Sequence, residues 1–264
     1  MEYVCIAIDC AEGGAVIFTN YEGAIMNLFG SNLINFNIIN NLFRGGLIDF
    51  LQELLYTVPI IIISLTFHEW GHAYAAYRMG DPTAKNEGRM TLNPFAHIDL
   101  LGFLLLILVG FGWAKPVPVN PRNYRNYKKG ETVVSLAGVS MNFVLAILSA
   151  LILSIIMAVN KSHPMSAGVF SRLYVIFYYM LSLNCAHIAF NLLPIYPLDG
   201  FHVAEVLLAK HIGYKPFMFL RKYGSIILFA VILIPQMFGF SLIGLPAHWL
   251  ADGLLKLFFL IFGI

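Results

Sequence analysis

The stretch IIIISLTFHEWGHAYAAY, residues 60–77, decides the fold. Its four isoleucines and its run of apolar and aromatic residues read as a helix in a membrane. Inside it sit His68, Glu69 and His72, polar groups that are costly in hydrocarbon and rare there unless they have a function. The question is what two imidazoles and a carboxylate do at that depth.

The rest of the chain agrees with a membrane setting. Of 264 residues, 59% are hydrophobic and 11% charged, where a soluble domain carries about 25% charge. The mean hydropathy is +0.77. The expected fold is an all-α polytopic membrane protein with four to six transmembrane helices. A net charge of +2, with no basic patch interleaved with aromatics, gives no reason to expect nucleic acid as a partner. The first 43 residues hold no Lys or Arg, so no positive region of a secretory signal stands there. Cys5 and Cys10 can pair in an oxidising compartment, but two free thiols are the expectation. No CxxC pair suggests a cysteine zinc site.

Charge-free runs mark the spans at 132–160, 173–198 and 223–245, the last with Pro235 as a kink. The opening stretch makes a further span over 57–79, with Thr57, Val58 and Pro59 as a helix start. Residues 247–264 either span or lie at the interface. The run 100–114 is short for a crossing, which needs about 20 residues. Basic residues flank it on both sides: Arg78, Lys85 and Arg89 before, Lys115, Arg122, Arg125, Lys128 and Lys129 after. Lys and Arg gather on the cytoplasmic side, so a re-entrant or β-hairpin element near 100–119 keeps both clusters there. Lys210, Lys215, Arg221 and Lys222 then join them. The acidic segment 1–56 is expected outside, as a non-cytoplasmic or interfacial N-terminal segment, with 57–264 as the transmembrane domain. The site is expected toward the cytoplasmic side of the cell membrane.

His68 and His72 lie four apart, so a helix puts both rings on one face, able to grip one ion. Glu69 is placed to act on water as a general base. Two imidazoles and a carboxylate suit one Zn2+ per chain, with a fourth position open. Glu87, Glu131 and Asp199 compete for the third ligand. Asp199 is favoured: it ends a long charge-free run, and Pro194 and Pro197 break the helix there. The bland reading of Asp199 is an N-cap. His202 is a stray ligand candidate, whereas His187 lies too far along its span. Pro116 and Pro118 in WAKPVPVNP leave one edge of an extended segment without N–H groups. This allows a strand at a cleft, with Val117 and Val119 binding substrate backbone, or a stiff connector.

HEWGH in a membrane helix, LAGVSMN (136–142), FNLLPIYPLDG (190–200), LNPFAHID (92–99) and GWAKPVPVNPRN (112–123) together resemble the site-2 protease family of intramembrane zinc metalloproteases. The compact prokaryotic branch, which has no PDZ or CBS domain, is the nearest in pattern. The resemblance implies His68, His72 and Asp199 as zinc ligands and Glu69 as catalytic base. It implies hydrolysis of peptide bonds in or near the transmembrane segments of protein substrates, within a lipid bilayer. Asn142 and Asn191 resemble family asparagines near the site, where they can bind substrate or an oxyanion, or join helices. His97 and Asp99 resemble family loop residues. Val139 stands where the family usually has Pro, and Phe201 and His202 follow Asp199-Gly200 where Gly and Arg are common. A metal-ion transporter and a catalytically inactive scaffold are the competing classes. The sequence names no substrate and no oligomeric state.

Overall fold

The structure of the chain, a computed structural model, describes residues 46–109, 113–237 and 241–264, with the pairs 7–8 and 16–17. Those pairs form a two-residue antiparallel ladder, β1 (Ala7–Ile8) with β2 (Val16–Ile17). Cys5 and Cys10 lie outside the described residues.

Helices carry the remainder. They are α1 (Gly46–Met79), the single turn α2 (Thr83–Asn86), α3 (Leu100–Val109), α4 (Tyr127–Ser162), α5 (Ala167–Asn191), α6 (Asp199–Ile212), α7 (Lys215–Met237) and α8 (Gly244–Phe262). Five described stretches are long and apolar enough to cross a membrane: Leu54–Met79, Tyr127–Ser162, Ala167–Asn191, Lys215–Pro235 and Gly244–Phe262. The all-α polytopic expectation holds.

Two boundaries differ from the sequence reading. The helix start expected at Thr57 is corrected: α1 begins at Gly46 and carries Pro59 in its interior. A proline removes one backbone bond without ending a helix that its neighbours support. The span expected over 223–245 is shifted, because α7 begins at Lys215 and ends at Met237, just past Pro235. Lys215, Arg221 and Lys222 belong to the helix itself, their long stems being able to lie along apolar surface.

α4 is the central column and touches α1, α5, α6 and α8. Its Ala146, Ala150 and Leu153 pack with Tyr178, Leu181 and Cys185 of α5 and with Ala247, Ala251 and Leu255 of α8. The alanines let the backbones approach, which drives helix association where lipid is as apolar as the side chains. On the other side α1 meets α4 more closely still. A Cβ on Gly71 would lie 2.8 Å from the Ala137 carbonyl oxygen.

The segment near 100–119 dips and returns. With 10 residues α3 is about 15 Å long, half the hydrocarbon thickness. Asp99 caps it, its Oδ1 accepting the N–H of Gly102. Trp113 comes back against Gly102, and the Lys115 N–H donates to the His97 carbonyl at 2.9 Å. Residue 115 therefore stands level with residue 97. No strand is present among the described residues of this element, so the β-hairpin form is corrected; α3 with a return to the level of residue 97 is what the described residues show. Pro116 and Pro118 can donate no ladder bonds.

Candidate metal centre

α1 presents His68 and His72 one turn apart toward α4. The His68 Nδ1–H donates to the Asn142 Oδ1 at 2.7 Å, and the His72 Nδ1–H donates to the Val134 carbonyl at 2.8 Å. Both acceptors are oxygens without hydrogens, so each ring carries its proton on Nδ1 and turns a bare Nε2 inward. The two Nε2 atoms stand 3.0 Å apart.

The third member arrives on another helix. α5 ends at Asn191, the chain turns through Pro194 and Pro197, and α6 opens on Asp199. Its Oδ2 lies 3.4 Å from His68 Nε2 and 3.3 Å from His72 Nε2. This oxygen is buried and has no hydrogen-bond partner. The N-cap reading is corrected: Leu198 is the cap residue, and no side-chain cap bond forms there.

Three electron pairs thus converge with nothing between them. Tetrahedral ligands about 2.0–2.1 Å from zinc lie about 3.3–3.4 Å from one another, close to the separations seen. The space is kept open by Gly138 of α4. A Cβ there would fall 2.4 Å from His72 Nε2 and 2.6 Å from His68 Cε1. The donor set, its geometry and the cradle all fit a zinc ion.

Glu69 stands beside the trio and is buried. Its Oε2 accepts the Val117 N–H at 2.8 Å. The extended segment that carries Val117 is held from several sides. Arg89 donates to the carbonyls of Lys115 and Pro116. Asp81, at the end of α1, accepts from the Asn120 N–H at 2.7 Å, from the Asn123 side-chain amide at 2.8 Å and from the Thr83 N–H and hydroxyl. Burial would raise the Asp81 carboxyl, but these donors hold it below its ordinary value.

The other candidates do not join the trio as ligands. Asn142 is fully buried, and its amide donates to Ser64 Oγ at 3.0 Å and Asn184 Oδ1 at 2.9 Å. Its hydrogens are spent within the protein, so the substrate or oxyanion expectation gives way to a role in orienting His68. Asn191 donates to the His187 carbonyl one turn back. Val117 is buried and Val119 exposed; the Val117 N–H, expected to face a substrate, is occupied by Glu69. His202 and Glu131 face each other at 3.0 Å. Glu87 is exposed at the end of α2. His97 bonds the Thr91 carbonyl, and His187 the Ser64 hydroxyl at 2.8 Å.

Sequence reasoning passed over Ser64, Asn184, Asp81 and Gly138. Ser64 had one signal: it lies four residues before His68, on the same helix face.

Comparison with known proteins agrees with this centre. The description Peptidase family M50 matches residues 56–235. A protein of Bacillus subtilis (strain 168), provisionally named zinc metalloprotease YwhC, is 37% identical over 212 residues, 80% of this chain and 94% of its own. Rip2 of Mycolicibacterium smegmatis, with the same provisional description, is 29% identical over 170 residues, 60% of this chain and 61% of its own. Zinc metalloprotease MJ0392 of Methanocaldococcus jannaschii is 25% identical over 155 residues, 59% of this chain and 35% of its own. No solved structure matches significantly. With the match running through α1, α4, α5 and α6, the chain belongs to peptidase family M50, the site-2 protease family, and is a membrane metalloprotease.

Proposed function

We propose that the chain is an intramembrane zinc endopeptidase of the HExxH type, cutting substrate proteins in or near their transmembrane segments in regulated intramembrane proteolysis. The observation that carries this is the convergence of His68, His72 and Asp199 inside the helix bundle, with the Glu69 carboxylate beside them. One zinc per chain, when bound there, supplies a Lewis acid for a scissile carbonyl. Glu69 takes a proton from the attacking water and delivers it to the leaving amine. The Val117 N–H holds that carboxylate in place. A substrate helix keeps its backbone groups in internal hydrogen bonds, so it unwinds locally before it reacts. Val119, exposed on the extended segment, is the contact for the unwound chain, with Asn191 at the end of α5 as a further candidate contact. The placement of Lys and Arg supports an N-terminus outside and a site facing the cytoplasm.

The test is Glu69→Gln in the full chain, reconstituted with a model membrane substrate. Zinc is expected to stay bound while cleavage is lost. Cleavage at the wild-type rate would overturn the mechanism. Zinc flux into sealed vesicles, intact in the variant, would point to a transporter.

A further inference from the structure

A second feature lies beside the metal centre and plays no part in it. The start of α4 and the outer half of α6 border an open groove of about 430 Å³. Three lysines line it: Lys128 and Lys129 of α4 and Lys210 of α6. Its apolar wall is Val133, Val206 and Leu207.

None of the three lysines pairs with a carboxylate among the described residues. The nearby acids face elsewhere, Glu131 toward His202 at 3.0 Å and Glu205 in an ion pair with Arg221. Three lysines therefore border one groove with no carboxylate paired to them among the described residues, and the wall between them is aliphatic. A free anion has no use for that wall. An acyl chain below a charged headgroup uses both.

The placement agrees. Lys128 and Lys129 come just before the charge-free run 132–160 of α4, so they stand at the rim of the hydrocarbon. α6 is too short to cross, with 14 residues. Next to Lys210 it exposes Leu207, Leu208 and Ile212. Exposed leucines beside lysines mark a helix lying in the membrane interface. Basic clefts between helices at that level receive anionic headgroups.

We propose that the cleft between α4 and α6 binds one anionic phospholipid, its phosphate among Lys128, Lys129 and Lys210 and an acyl chain along Val133, Val206 and Leu207. The lipid joins the helix that carries Gly138 to the helix that opens on Asp199. The binding claim is independent of the proteolytic reading and is tested without a substrate.

The full chain in detergent is titrated with phosphatidylglycerol and with phosphatidylcholine, and bound lipid is counted by native mass spectrometry. One saturable phosphatidylglycerol is expected, with phosphatidylcholine not retained. The triple variant K128Q/K129Q/K210Q is expected to hold it about 100-fold more weakly, from roughly fivefold per basic residue. K128R/K129R/K210R keeps the charge and is expected to bind as wild type, which separates charge from misfolding. A charge-matched control, K85Q/K215Q/K222Q, is expected to leave the titration unchanged. Equal retention in K128Q/K129Q/K210Q, or equal binding of both lipids, overturns the proposal. Displacement by inorganic phosphate would make it a free-anion site, and displacement by a soluble oligoglutamate a docking site for acidic protein segments. Either result overturns the lipid assignment.

Discussion

The Glu69 carboxylate and the Val117 backbone N–H meet at 2.8 Å, 48 residues apart in sequence. A helix and an extended loop are thereby joined at the residue proposed to handle the proton. Val117→Pro removes that N–H, along with the Val117 side chain packed on Ala73 and Ala84, between two prolines that already hold the chain extended. A hydrogen bond to a charged group contributes about 1.5–3 kcal/mol, so turnover is expected to fall about 10- to 100-fold with zinc content unchanged. Val117→Ile keeps the N–H and is expected to stay within a few-fold of wild type. The check is turnover per bound zinc.

Gly138→Ala places a methyl group where the ligand nitrogens converge, 2.4 Å from His72 Nε2. It is expected to abolish stoichiometric zinc while the helices still form. Gly253→Ala, in α8 with open space around it, is the matched control and is expected to keep its metal. Metal analysis of both purified proteins, with circular dichroism, decides the point.

His68 owes its orientation to residues that never touch a metal. The Asn184 side-chain amide donates to the Met180 carbonyl, and its Oδ1 accepts from Ser64 and Asn142. Asn142 is left to accept from His68. Partners of this kind typically account for 10- to 100-fold in metal affinity. Asn142→Leu is expected to weaken zinc by about that factor, and Ser64→Ala by less, since Asn142 retains Asn184. A chelator competition titration reads both.

Asp81 gives a pH signature. Its folded carboxyl is held below the ordinary value by its four donors. A carboxyl lowered on folding stabilises fully above its unfolded value, about 3.9, and the effect is lost as pH falls through the folded one. Asp81→Ala is expected to cost about 1–3 kcal/mol near neutral pH. The gap to wild type should narrow steadily below about pH 4. Thermal unfolding in detergent at several pH values follows it.

The centre was legible where chemistry fixes residue type. A ligand must be His or a carboxylate, so HEWGH and the aspartate after two prolines stood out from an apolar background. The return of the chain after α3 was legible from the shortness of its apolar run and from charge placement. Gly138 was not, because its role is the absence of a side chain near atoms 66 and 70 residues away in sequence. Ser64 and Asn184 were not either, since short polar residues in apolar helices most often bond back to their own helix, as Ser149 and Ser154 do here. The start of α1 was misplaced because Pro59 was read as a terminus signal.

Asp199 stands on α6, 127 residues after His72 (199 − 72). A growing chain that has inserted only α1 holds two ligands of the three and a base with nothing to work beside. At about 5–20 residues per second, synthesis takes roughly 6–25 s more to deliver the third. The protein is born disarmed, and the last ligand arms it only after α4 and α5 have been laid down around the site.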